Sequence, residues 1–212
     1  VSPARIYGGM TAEQREAGRR ARLIDTAIEL MGTRGAADTT VTAVCATSGV
    51  TSRYFYQHFA DRDALLRAVA EQLRTSMQGA IVAAIPEGSL TPDALAQAPI
   101  RAMLTMIHDD PRLARILFVE SGTEPTLRRL RSELLASFAD LVWQQSRLHL
   151  NIPDSAVEVG RLAAIVGVGG VFEVLRRWAD GELDYHPDQL VEHCAGLLGS
   201  LAGYVLADPA AE

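Results

Sequence analysis

The sequence predicts an all-α protein, and three observations carry that expectation. No stretch alternates apolar and polar residues as a half-buried strand would, and no hairpin turn signal appears. Proline and glycine punctuation cuts the chain into segments whose apolar residues recur every three to four positions. Helix-opening residues stand at the head of those segments: Thr11, Thr40, Asp61, Thr91-Pro92, Asp110-Pro111, Thr123 to Pro125 and Pro153-Asp154.

Residues 1–10, with Pro3, Gly8 and Gly9, read as a flexible arm. Thr11 and Gln14 form a capping box that opens a helix to about Arg34, which Gly35 stops. Ile24, Ala27, Ile28 and Met31 give it one apolar face. Arg15, Arg19, Arg20 and Arg22 crowd its first half, either as a solvated face or as a source of one or two phosphate contacts. Thr40 caps a short helix, Val41 to Ser48, with Val41, Val44 and Cys45 as its apolar positions.

Gly49 ends that helix, because glycine enters the left-handed conformation without steric cost. Val50 is then a buried turn residue and Thr51 the cap of a second short helix. In that helix Phe55 and Phe59 share a face and point to a core. Thr51, Ser52, Arg53, Tyr54 and Gln57 are left on the other side as a hydrogen-bonding surface. The pair of helices reads as a helix-turn-helix. A helix of about seven residues is about 10 Å long, short enough to enter a major groove about 12 Å wide.

Asp61 opens a fourth helix to about Ala84, with Ala64, Leu65, Ala68 and Val69 as its stripe. Further helices are expected at about Thr91 to His108, Pro111 to Ser121, Pro125 to Leu150, Pro153 to Ala179 and Pro187 to Leu206. The domain organisation is therefore an arm over 1–10, a helix-turn-helix head over 11–60 and a helical body over 61–212. The last two helices carry Gly160, Gly167, Gly169 and Gly170, and Gly196, Gly199 and Gly203. Each interior glycine costs about 1 kcal/mol relative to Ala, so close helix approach is the expected gain. A phosphate loop is a poor reading, since no strand precedes these glycines and no Lys follows. A locally opened helix beside a ligand stays open as an alternative.

Charge separates the same parts. The net charge of −6 argues against a general polyanion binder, yet the chain up to Ala70 holds nine Arg against seven acidic residues, +2, leaving −8 for the rest. That suits a small DNA-contacting head on a body that does not touch DNA. Lysine is absent throughout, including the acidic part, so genome bias explains it better than selection of Arg for contacts. Cys45 and Cys194 lie far apart without ligand spacing and read as buried thiols of a reducing compartment. No secretory pattern is visible, and the longest nearly uncharged run, Cys194 to Ala207, falls short of the roughly 20 residues of a membrane span. A cytoplasmic location and no membrane partner are expected. His108-Asp109-Asp110 could be drawn as an acid/base group, but Asp110-Pro111 is already explained as a helix start, and no GxSxG, HExxH or Walker pattern occurs. No enzyme activity, cofactor or metal is expected.

Val50-Thr51, Tyr56, His58-Phe59 and Asp61-Arg62-Asp63-Ala64-Leu65-Leu66 are together similar to the signature of TetR-type bacterial transcriptional regulators. The resemblance is specific from about Gln14 to Leu66. It implies that the second short helix enters the major groove and that Thr40, Tyr56 and Arg62 contact phosphates. Thr42 and Ser52 stand where many members carry Lys or Arg, and Tyr54 is bulkier than the small residue often found there. The expected DNA-binding set is Thr40, Thr42, Thr51, Ser52, Arg53, Tyr54, Tyr56, Gln57, His58 and Arg62. For His58, a cation facing phosphate and a helix-end histidine satisfied by carbonyls are both open readings.

The resemblance further implies a homodimer through the last two long helices and an effector cavity in the body. Met103, Met106, Ile107, Phe118, Trp143 and Phe172 are the expected ligand-binding residues, with Phe138 and Leu175 beside them, although any helical core needs the same set. Glu120 and Arg147 are the charged residues at buried-looking positions, so a small apolar or weakly polar effector is expected. The function implied is a repressor released by that effector from a pseudo-palindromic double-stranded DNA operator. The alternatives are an effector-free architectural DNA-binding protein, marked by a cavity-free body, and an all-α small-molecule binding protein or enzyme with a structural head.

Overall fold

A computed structural model describes residues 11–88 and 90–207, so the expected arm at 1–10 lies outside the described residues. The described chain is helical: α1 (Ala12–Thr33), α2 (Val41–Ser48), α3 (Ser52–His58), α4 (Arg62–Ala84), α5 (Pro92–Asp109), α6 (Pro111–Ala114), a π-helical stretch (Arg115–Glu120), α7 (Ser121–Thr123), α8 (Pro125–His149), a 3₁₀ turn (Asp154–Ala156), α9 (Val157–Ala179) and α10 (Pro187–Leu206). The sequence reading of one helix over Pro111 to Ser121 is corrected. A π-helical stretch interrupts it, and the turn after Pro153 is 3₁₀ before α9 begins.

The caps explain where the elements begin. Thr11 and Gln14 make the reciprocal capping box of α1, and Thr40, Asp61 and Thr91 accept the N–H groups of Ala43, Ala64 and Ala94. His186 and Gln189 form a second capping box at α10, which uses the His186 ring as acceptor. Thr51 differs from expectation: it occupies the N-cap of α3 with extended backbone, but its hydroxyl makes no capping bond. The turn is already fixed by Gly49 at φ 68° and by Val50, which is buried.

The chain divides into two compact units, one running up to Gln72 together with Arg115–Leu130, the other comprising Leu73–Ala114 and the chain from Arg131 onward. In the first unit α1 packs on α2, α3 and the π-helical stretch. Its core is Leu23, Ile24, Ala27, Met31, Val44, Phe55, Leu65 and Leu66, all below 2% exposed. The apolar spacing of α1 and α4 thus does what its periodicity dictates.

In the second unit α10 packs along α5 and α9. The glycines divide by role. A Cβ on Gly160 would overlap the Trp143 ring, one on Gly167 would lie 2.8 Å from Leu198, and one on Gly199 would overlap the Asp93 carboxylate. Gly169, Gly170, Gly196 and Gly203 face open space. The C-terminal end of α9 is laced by Arg176 and Arg177 to Glu173, with Arg176 also reaching Asp180. Hydrogen bonds from Arg176, then Arg177, hold the Glu173 carboxyl down to about 2.

Candidate nucleic-acid interface

Helix α3 is held by two rings. Phe55 and Phe59 are buried with centroids 5.6 Å apart, and Tyr56 meets Phe55 edge-on at 5.3 Å. Ser52, Arg53, Tyr54, Tyr56 and Gln57 are exposed, as are Thr51 before the helix, Thr40 at the N-cap of α2 and Thr42 on α2. With about 100° between successive residues, Arg53 and Gln57 point directly away from Phe55. Tyr54 and His58 then lie on one flank, Ser52 and Tyr56 on the other. The helix therefore offers a polar outward face with one tyrosine on each side.

The Thr40 hydroxyl accepts the Ala43 N–H at 3.1 Å, and a hydroxyl so used still has its own proton to donate. His58 is half-buried, and its Nε2 is buried without a hydrogen-bond partner, so this nitrogen is not satisfied by backbone carbonyls. Two arginines of α1 lie over aromatic rings of this region: Arg19 over Tyr54 at 4.6 Å and Arg20 over Phe59 at 5.4 Å.

Arg62 faces inward. Its Nε donates to the Thr39 carbonyl at 2.9 Å, one terminal nitrogen to the Ala36 carbonyl at 2.6 Å, and the other meets Glu124 at 3.5 Å. The two carbonyls belong to the turn between α1 and α2, and Glu124 stands between α7 and α8. Thr39 is fully buried, and its hydroxyl donates to the Gly35 carbonyl at 2.9 Å. From the far side of the same unit Glu120, 7% exposed, accepts the Ala36 N–H at 2.7 Å and Arg115 Nε at 3.0 Å. Arg115 also reaches the Thr33 carbonyl. The π-helical stretch makes this pair possible, because i→i+5 bonding stacks residues five apart, whereas an α-helix aligns those three or four apart. Gly35 at φ 100° lies beneath it, and a Cβ there would stand 3.1 Å from Arg115 and 3.2 Å from Glu120.

The expected effector residues fall in both units. Phe118 is buried in the π-helical stretch of the first. Met103, Met106 and Ile107 on α5, Trp143 on α8 and Phe172 on α9 belong to the second. Trp143 packs against Gly160 and carries Arg147 over its ring at 5.7 Å, while Arg131 lies over Phe172 at 5.6 Å. Of the two charges expected at buried positions, Glu120 is buried but committed to the α1–α2 turn, and Arg147 is exposed and faces Asp154. Cys194 is buried as expected; Cys45 is only half-buried, and burial pushes both thiols up. Among the described residues no group of three His, Cys, Asp or Glu is placed to hold a metal.

Sequence reading missed Thr39, Glu120 and Glu124 as the groups that fix the turn behind the helix pair. A buried Thr next to a capping Thr was the one local hint.

Residues 23–69 match the family described as bacterial regulatory proteins, tetR family. No curated protein matches the sequence. Among solved structures, the chain is similar to the fatty acid degradation regulator FadR from Bacillus halodurans, at 19% identity and TM-score 0.66, covering 85% of this chain and 94% of that one. It is similar to FadR from Bacillus subtilis in complex with stearoyl-CoA, at 16% identity and TM-score 0.62, over 89% and 98% of the two chains. It is also similar to a TetR-like transcriptional regulator from Rhodococcus sp. RHA1, at 21% identity and TM-score 0.61, over 90% and 97%. The protein thus carries, at residues 23–69, a helix-turn-helix head that matches the tetR family of bacterial regulatory proteins, on the fold of TetR-family transcriptional regulators.

Proposed function

We propose that this protein is a homodimeric, cytoplasmic transcriptional repressor that reads a pseudo-palindromic operator and is released by a small apolar or weakly polar effector. The observation that carries the DNA-reading part is the face of α3, with Ser52, Arg53, Tyr54, Tyr56 and Gln57 exposed over the buried Phe55 and Phe59. Arg53 and Gln57, opposite the buried rings, are the base-reading pair. Thr40, Thr42, Thr51 and Tyr56 serve the backbone, and His58 borders the same flank as Tyr54. Arg62 acts by holding the α1–α2 turn.

Selection of bound sites from random duplex DNA at about 0.15 M salt tests this reading. The expected product is an inverted repeat with half-sites about 34 to 36 Å apart; recovery of no motif by folded dimer would sink it. Arg53→Ala is expected to lower discrimination at one half-site position by about 1–3 kcal/mol while leaving mixed-sequence binding nearly unchanged. Equal loss on every sequence would make Arg53 a phosphate contact instead.

The dimer is supported by an unpartnered apolar stripe. On α9, Leu162, Ile165, Val166, Gly169 and Gly170 follow helical spacing and are exposed or face open space; on α10, Gly196, Leu197, Gly203 and Tyr204 do the same. Its apolar surface also makes Asp154–Ala179 long and apolar enough to cross a membrane by length and composition, its most apolar 18 residues having a mean hydropathy of 1.5. Glycines at the stripe and charges at Glu158, Arg161 and Glu173 suit a bundle face better than a lipid-facing span. Ile165→Glu combined with Leu197→Glu is expected to weaken self-association more than about a hundredfold in sedimentation, with helicity retained, because it places like charges in a closed interface. An unaltered dimer would remove this face from the interface.

The effector reading rests on Met103, Met106, Ile107, Trp143 and Phe172, apolar side chains carried by three helices of the second unit. The Bacillus subtilis FadR structure is a complex with stearoyl-CoA, a ligand whose chain has the apolar character this set would require. Effector release follows if the ligand has different affinity for DNA-competent and DNA-incompetent states.

A further inference from the structure

We propose that Arg19 is a phosphate contact on one wall of the major groove, positioned by stacking on Tyr54; this rests on the reading of α3 as the groove-entering helix. The Arg19 guanidinium lies 4.6 Å from the Tyr54 ring centroid. Its Nε is buried with no hydrogen-bond partner, and among the described residues the group donates to no acceptor and meets no carboxylate. A cation with no ion-pair partner among the described residues is therefore held beside the reading helix.

The place of Tyr54 on α3 decides what that cation meets. Arg53 and Gln57 point along the outward axis, whereas Tyr54, about 100° from Phe55, stands on the flank that faces α1. A helix with its side chains is about 10–12 Å across and the groove about 12 Å wide. A group on the flank of a seated helix consequently meets the phosphate wall, while groups on its axis meet base edges. Tyr56, 59% exposed on the opposite flank, faces the other wall.

Tyr54 is also the residue that is bulkier than the resemblance led one to expect. An aromatic face at this position binds a guanidinium by cation–π attraction and restricts its rotamers, so less freedom is lost when phosphate is engaged. Arg20 over Phe59 differs, since that ring is buried in the core.

The test is binding of full-length protein to a mixed-sequence duplex between 50 and 200 mM salt. Arg19→Ala is expected to reduce affinity about eightfold per head near 0.1 M salt and to reduce the log–log salt slope by about 0.9 per head. Tyr54→Phe should keep that slope, because the ring face remains. Tyr54→Leu should lose most of the Arg19 contribution to it, and adding Arg19→Ala to Tyr54→Leu should cost little more. Arg19→Gln, which keeps the stem but not the charge, repeats the result if the alanine variant folds poorly. An unchanged slope in Arg19→Ala and Arg19→Gln overturns the contact and makes the stack internal packing. Fully additive losses from Arg19 and Tyr54 overturn the positioning. If the wild-type protein binds no duplex even at 50 mM salt, the groove reading itself falls and takes this contact with it.

Discussion

Glu120→Ala is expected to destabilise the first unit by about 2–4 kcal/mol. The carboxylate is nearly buried and serves two donors, the Ala36 N–H at 2.7 Å and Arg115 Nε at 3.0 Å. Ala36 itself is 1% exposed, so removing the acceptor leaves a backbone N–H orphaned where water does not readily replace it. The Arg115 side chain is 41% exposed, and its share of the loss is reduced by solvent screening. The main cost therefore comes from the N–H. Glu120→Gln keeps an oxygen for that donor and should recover at least half the loss. Hydrogen exchange separates the units: α1–α3 amides should lose protection in Glu120→Ala while α9 and α10 amides keep theirs. Unchanged protection throughout would mean that the turn is held without Glu120.

Arg62→Ala comes next, at about 2–3 kcal/mol, because three planar donors are removed from two turn carbonyls and from Glu124. Arg62→Lys should recover less than half, since one ammonium does not reproduce the fork that spans Thr39 and Ala36. Specific and mixed-sequence DNA should both bind more weakly, as the turn places α2 and α3. The salt slope tells the two roles of Arg62 apart. A positioning residue leaves the slope of the folded protein unchanged, whereas a phosphate contact reduces it by about 0.9 per head. A stable Arg62→Ala protein with a reduced slope would restore the phosphate role.

The elements of the head were legible because each depends on neighbours in sequence. Thr40 and Gly49 bound α2 through local capping and a left-handed turn, and the four-residue spacing of Phe55 and Phe59 alone selects the face that α3 exposes. Arg62 shows the limit. Its sequence position resembles that of a phosphate contact, but its side chain is long enough to turn inward, and the carbonyls it meets lie 23 and 26 residues away. Glu120 shows it more sharply, since its partner Ala36 is 84 residues distant. No periodicity forecast the π-helical stretch that turns Arg115 and Glu120 to one side. In the second unit, the expectation that interior glycines serve close packing holds within the chain for Gly160, Gly167 and Gly199, while Gly169, Gly170, Gly196 and Gly203 face open space.

The sequence by itself determined the all-α class, most helix limits and the polar face of α3, because caps, breakers and apolar spacing act within a few residues. Tertiary structure alone decided that Arg62 and Glu120 fix the α1–α2 turn, that Arg19 rests on Tyr54, and that Gly160, Gly167 and Gly199 face neighbours while four other glycines lie open. The physical reason is that a long charged or aromatic side chain reaches several ångströms in any direction. Its partner is set by which distant segment the packed core brings within that reach.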